Sequence, residues 1–77
     1  MGTARVNFTL PSYPGGEARL DEIAHRLVED LPAHMRRGAV LVVAQDWDGR
    51  TICWTSLRCG ESRPNHLAWA PASMPWE

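Results

Sequence analysis

The apolar spacing of this chain predicts an α+β domain: one amphipathic helix packed on one face of a small, mostly antiparallel sheet. Three observations carry that expectation. Residues 4–10 alternate polar and apolar, residues 17–31 repeat at helical spacing, and a β-branched run at 39–45 leads into an Asp-rich turn. The expected order is β-α-β-β, with a further short strand over 66–70.

In the first element, Val6, Phe8 and Leu10 point one way and Arg5, Asn7 and Thr9 the other, the pattern of a half-buried strand. Pro11, Pro14, Gly15 and Gly16 stop it and form a connector. From about Glu17 to Leu31 the period changes. Leu20, Ile23, Ala24, Leu27, Val28 and Leu31 then fall on one face of a helix. Acids early in this run suit the positive end of the helix dipole, although Glu29 and Asp30 at the far end do not. Pro32 ends the helix by disfavouring helical geometry at Leu31. A short helical turn over 32–38 would close at Gly38.

The run Ala39-Val-Leu-Val-Val-Ala-Gln45 opens a hairpin expected over 39–58. Asp46, Asp48 and Gly49 suit a type I turn closed by a left-handed glycine, which pairs Asp46 with Arg50. In that register Val40, Val42 and Ala44 share a face with Ile52 and Trp54. Leu41, Val43 and Gln45 then share the other with Thr51, Cys53 and Thr55. A two-residue Asp-Gly loop is the competing register, and it breaks this apolar matching. Residues 59–65 read as a loop. Leu67 and Trp69 face the same way on the last strand, and Pro71 and Pro75 leave residues 71–77 as a tail.

The whole chain of 77 residues reads as one domain, with 44% hydrophobic and 22% charged residues arguing against disorder. At this size folding hides only about 60% of the surface that the unfolded chain exposes. No apolar run approaches the roughly 20 residues that span a bilayer. The N-terminal alternation does not resemble a signal peptide, so the expected location is the cytoplasm. The net charge of −1 gives no general attraction to nucleic acid. All eight basic residues are arginine, which suits either a coding bias or selection for bidentate contacts.

Chemistry-bearing residues are sparse. Cys53 and Cys59 would stand about 20 Å apart on one continuous strand, beyond disulfide reach. The set Cys53, Cys59, His66 and His34 lacks any Cys-x2-Cys pair of the zinc-binding kind. Nothing places His25, His34 or His66 beside Cys53 as a base, and turn chemistry accounts for Asp46 and Asp48. Gly15-Gly16 ahead of a helix can serve an anion, but the acids that follow repel phosphate. No catalytic residue, cofactor or metal site is therefore expected.

Tryptophan is the distinctive feature: Trp47, Trp54, Trp69 and Trp76 all lie in the last 31 residues. So small an interior has room for about two such rings, here Trp54 and Trp69, and surface tryptophans anchor protein interfaces. Trp47 at the hairpin tip either folds over Arg50 as a cation–π pair or enters a partner's pocket. Trp76 either tucks back or is presented. The expected partner-binding set is Trp47, Asp48, Arg50, Arg36, Arg37 and Trp76, facing a larger protein. A nucleic-acid regulator using Arg36, Arg37, Arg50, Arg58 and Arg63 is the alternative, and the open sheet edge leaves a homodimer in view. A small enzyme using Cys53 ranks below both. In size and type the chain is similar to phage and mobile-element accessory proteins that block a host factor by occupying its surface, such as anti-CRISPR inhibitors, and to antitoxins and small regulators. That similarity is one of class and rests on no motif.

Overall fold

The computed structural model describes residues 4–58 and 67–72. They form strand β1 (Ala4–Thr9), helix α1 (Leu20–Glu29), strands β2 (Ala39–Gln45) and β3 (Thr51–Arg58), and a two-residue strand β4 (Ala70–Pro71). The sheet order is β1-β2-β3-β4, with β1 parallel to β2 and the other two pairs antiparallel. One helix on a mostly antiparallel four-stranded sheet is the α+β architecture that the spacing predicts.

The connector from β1 to α1 is built of two short 3-10 turns, Leu10–Ser12 and Gly16–Arg19. Gly15 takes a left-handed φ of 66°, which redirects the chain. Gly16 is pressed against Leu10: a β-carbon there would meet Leu10 Cδ1 at 2.7 Å. The helix then buries Ile23, Ala24 and Val28 and packs Leu20, Leu27 and Leu31 partly against the core. These are the six residues of the expected stripe. Helical structure starts at Gly16 and leaves the α form after Glu29, close to the expected 17–31. Pro32 then precedes a 3-10 turn over Ala33–Met35, and Gly38 adopts φ 73° ahead of β2.

Under the helix lie Phe8, Leu10, Val40, Val42, Ala44 and Leu57, all buried. Tyr13 meets Phe8 edge to face, with ring centroids 5.6 Å apart. On the scale of about 25 cal/mol per Å² of apolar surface, such a core leaves little stability margin in so short a chain.

The hairpin loop forms as its residues predict. Asp46 N–H donates to the Arg50 carbonyl at 2.8 Å, and Gly49 N–H to the Asp46 carbonyl at 3.1 Å. Gly49 has φ 80°, the left-handed position of this loop.

One residue beyond the loop, the expected facing fails. Gln45 pairs with Thr51 but Ala44 pairs with Cys53, so Ile52 is the extra residue of a β-bulge. Side chains alternate with period two, and one inserted residue moves every later side chain to the opposite face. Cys53, Thr55 and Leu57 therefore join Val40, Val42 and Ala44 under the helix, while Trp54 stands opposite Val43 on the other face. The sequence reading that placed Trp54 and Ile52 in the helix-side core is corrected. Trp54 is half-buried on the far face, and Ile52 is exposed.

The last strand is shorter than expected and later: Leu67 to Trp69 are not strand, and only Ala70 and Pro71 pair with β3. The expected loop at 59–65, His66 at the head of the expected last strand, and all of the tail beyond Ala72 lie outside the described residues.

Candidate functional site

Two large hydrophobic side chains are exposed among the described residues, Trp47 and Ile52, and both belong to the hairpin end of the sheet. Trp47 is 72% exposed. Most of the ring is open to solvent.

The tip is held from within by Asp46. Its Oδ1 accepts the backbone N–H of Asp48 and that of Arg50, each at 2.9 Å. With the two backbone bonds across the loop, four hydrogen bonds fix a three-residue loop that displays an indole. An anchor already ordered before contact loses less conformational entropy on binding. Asp48 and Arg50 are exposed beside it. Ile52 reaches the surface here because of the bulge, and bulges re-aim side chains in this way. Reading the sequence alone misses Ile52. The signal for it is Leu57, an apolar residue between Ser56 and Arg58, whose burial demands the other alternation.

Arg36 and Arg37 are exposed too, but they do not join this group. They precede β2, whereas Trp47 follows it, and a seven-residue strand spans about 23 Å. Arg58 pairs with Ala39 at that same distant end, and Arg5 pairs with Leu41 close by. The expectation that Arg36 and Arg37 flank Trp47 is therefore corrected: the sheet carries an arginine end and a tryptophan end. Trp76 and Arg63 lie outside the described residues.

Trp69 is half-buried and takes part in a clamp. The Asp21 carboxylate accepts the Trp69 indole N–H at 2.7 Å and the Leu67 backbone N–H at 3.2 Å. Thr55, which is buried, donates its hydroxyl to the Ala68 carbonyl at 2.8 Å. Polar bonds to both α1 and β3 thus secure the approach to β4.

Cys53 is a free thiol, half-buried on the helix side. Burial, and secondarily the negative charge of Glu17, push its pKa up, the opposite of what activates a nucleophile. Among the described residues, no group of three or more His, Cys, Asp or Glu side chains is placed to hold a metal ion. A groove between Tyr13 and the Ile23–Leu27 side of α1 holds about 150 Å³, with Arg19, Glu22 and Arg26 at its rim. Ligand pockets are commonly about 300–1,000 Å³. Arg19 and Glu22 engage each other across 3.1 Å, and that contact lowers the Glu22 pKa. No helix among the described residues is long and apolar enough to cross a membrane.

Fold and surface together define a class: a small α+β domain that displays an ordered tryptophan hairpin. No protein-family model, curated protein or solved structure matches this chain.

Proposed function

We propose that this protein is a non-enzymatic binding module whose hairpin tip docks into a larger protein, acting by occupying that partner's surface. What supports the reading is one observation: Trp47 stands 72% exposed on a loop that Asp46 holds in place. A large apolar ring costs free energy to display in water, and interface anchors are enriched in tryptophan. Trp47 is the central anchor, Ile52 extends its apolar contact, and Asp48 and Arg50 form a polar rim. The accessory-protein class named above, with anti-CRISPR-like inhibition as its example, is the setting in which such a module would act.

The test compares wild type with Trp47→Ala in affinity capture from the host lysate, followed by titration against the recovered partner. The variant is expected to lose about 2 kcal/mol or more of binding, roughly thirtyfold in affinity. Its thermal midpoint should barely move, because the ring is outside the core. A large fall in stability with unchanged affinity would reject the assignment.

The arginine end supports a second reading, nucleic-acid binding through Arg5, Arg36, Arg37 and Arg58. Among the described residues, no exposed tryptophan stands at that end to stack on bases. Affinity for single- or double-stranded nucleic acid should then fall steeply with salt. No gel shift at low ionic strength would dispose of it.

A further inference from the structure

The two edges of the sheet are unequal. On one side β4 is two residues long and ends in Pro71, which has no N–H to offer a further strand. On the other side β1 runs six residues without a break, in register from Ala4↔Val40 to Thr9↔Gln45. It contains no proline and no bulge, two of the devices by which edge strands avoid pairing, and its one charged side chain is Arg5. Among the described residues no strand flanks its outer side.

We propose that β1 pairs antiparallel with β1 of a second copy of this chain, forming a two-fold dimer with one continuous eight-stranded sheet. The occupant follows from the strand's own sequence. A two-fold axis perpendicular to the sheet preserves which face is which, so residues facing each other across the seam must share parity. With Val6 on the axis, Ala4 faces Phe8 and Arg5 faces Asn7 of the other copy. The helix-side row is then wholly apolar. The far-side row sets a donor against an acceptor, twice, and keeps the two arginines apart.

Arg5 Nε already donates to Asn7 Oδ1 within the strand at 2.9 Å, so the pair is chemically matched and only its partner changes. Val6 and Ala4, half-exposed at the open edge, would be covered. The net charge of −1 opposes such association only weakly. A parallel pairing would not close with this symmetry, and pairing β1 to β4 would propagate through a strand only two residues long. Because β1 and β2 are parallel, the dimer would send its two Trp47 tips to opposite ends of the joined sheet. The dimer does not depend on what those tips bind.

Sedimentation velocity on the purified full chain over a concentration series provides the test. Wild type is expected to show a monomer–dimer equilibrium, with a thermal midpoint that rises with concentration. Asn7→Lys sets like charges across the seam twice and should weaken dimerisation roughly tenfold. Arg5 and Asn7 are exposed, so circular dichroism of the variants should match wild type. The Arg5→Glu/Asn7→Lys double variant places opposite charges across the seam and should restore the dimer. A wild type that stays monomeric at every soluble concentration overturns the proposal. So does an Asn7→Lys protein that dimerises unchanged, or a folded double variant that fails to recover.

Discussion

The Asp21 carboxylate, in the first turn of α1, accepts both the Trp69 indole N–H and the Leu67 backbone N–H, from residues 48 and 46 positions further along the chain. Oδ1 accepts from the Trp69 indole and Oδ2 from the Leu67 backbone. A carboxylate at this end of a helix is already favoured by the dipole, so one group serves the helix and the docking of the last strand together.

Removing that carboxylate should therefore loosen residues 67–71 as well as lower stability. Asp21→Ala is expected to cost about 1.5–3 kcal/mol, the range for hydrogen bonds to charged groups. Urea denaturation of Asp21→Ala, Trp69→Phe and the double variant measures the coupling. Strict additivity of the two single changes would show that the bond contributes nothing.

Gly16→Ala tests the close approach in the connector. A β-carbon at 2.7 Å from Leu10 Cδ1 and 3.0 Å from the Leu10 carbonyl oxygen forces one or both to move. Overpacking of this kind costs about 1–3 kcal/mol. The Gly15→Ala comparison separates sterics from backbone strain, because Gly15 has room for a β-carbon but a left-handed φ of 66°. A Gly16→Ala protein as stable as wild type would mean that Leu10 has space to retreat.

Asp46→Ala tests whether the order of the loop matters to docking. It removes the side-chain bonds to the N–H groups of Asp48 and Arg50 while leaving Trp47 intact. Stability should fall by about 1 kcal/mol. Affinity for the partner should fall as well, because the indole must then be ordered on contact. Calorimetry should show the loss as a less favourable entropy, and an unchanged binding entropy would count against an ordered tip.

The Cys53 thiol should label slowly in the native state. Its raised pKa leaves less thiolate at neutral pH than a free cysteine has, and the side chain is half-buried. Site-resolved mass spectrometry after timed labelling, native against denatured, gives the rate at Cys53 separately from Cys59. Glu17→Gln removes the lesser cause and should speed labelling modestly. The sign for stability follows from linkage. The fold favours the neutral thiol, so its contribution is complete below the ordinary thiol pKa and declines as pH rises through that value towards the raised one. Native labelling as fast as in the denatured chain would contradict the burial.

Much of the fold is legible in the residues themselves. Alternation in Ala4–Leu10, the six-residue stripe from Leu20 to Leu31, and Asp46 to Arg50 around Gly49 are local patterns, and local patterns answer to local physics. Backbone periodicity, proline's missing N–H and glycine's left-handed φ act within a few residues of where they are written. The candidate site was only half legible. Trp47's place at the turn tip is legible, but the sequence left a fold-back over Arg50 and presentation to a partner equally open, and the structure shows the ring 72% exposed. The exposure of Ile52 is not legible, because a strand residue's face depends on what pairs with it.

What only the tertiary structure decided has one cause, the accumulation of register over distance. A single unpaired residue at Ile52 turned Trp54 away from the helix and brought Cys53, Thr55 and Leu57 beneath it. The length of β2 set Arg36 and Arg37 at the opposite end of the sheet from Trp47. The partnership of Asp21 with Trp69 joins groups that no short window contains. Sequence by itself determined the helix, the first three strands and the hairpin turn, because those choices are made by neighbouring residues, whereas the last strand, Ala70–Pro71, depended on pairing with β3. Which side chains meet, and which are left to meet another molecule, depended on packing the elements against one another, because burial is a property of the assembled surface.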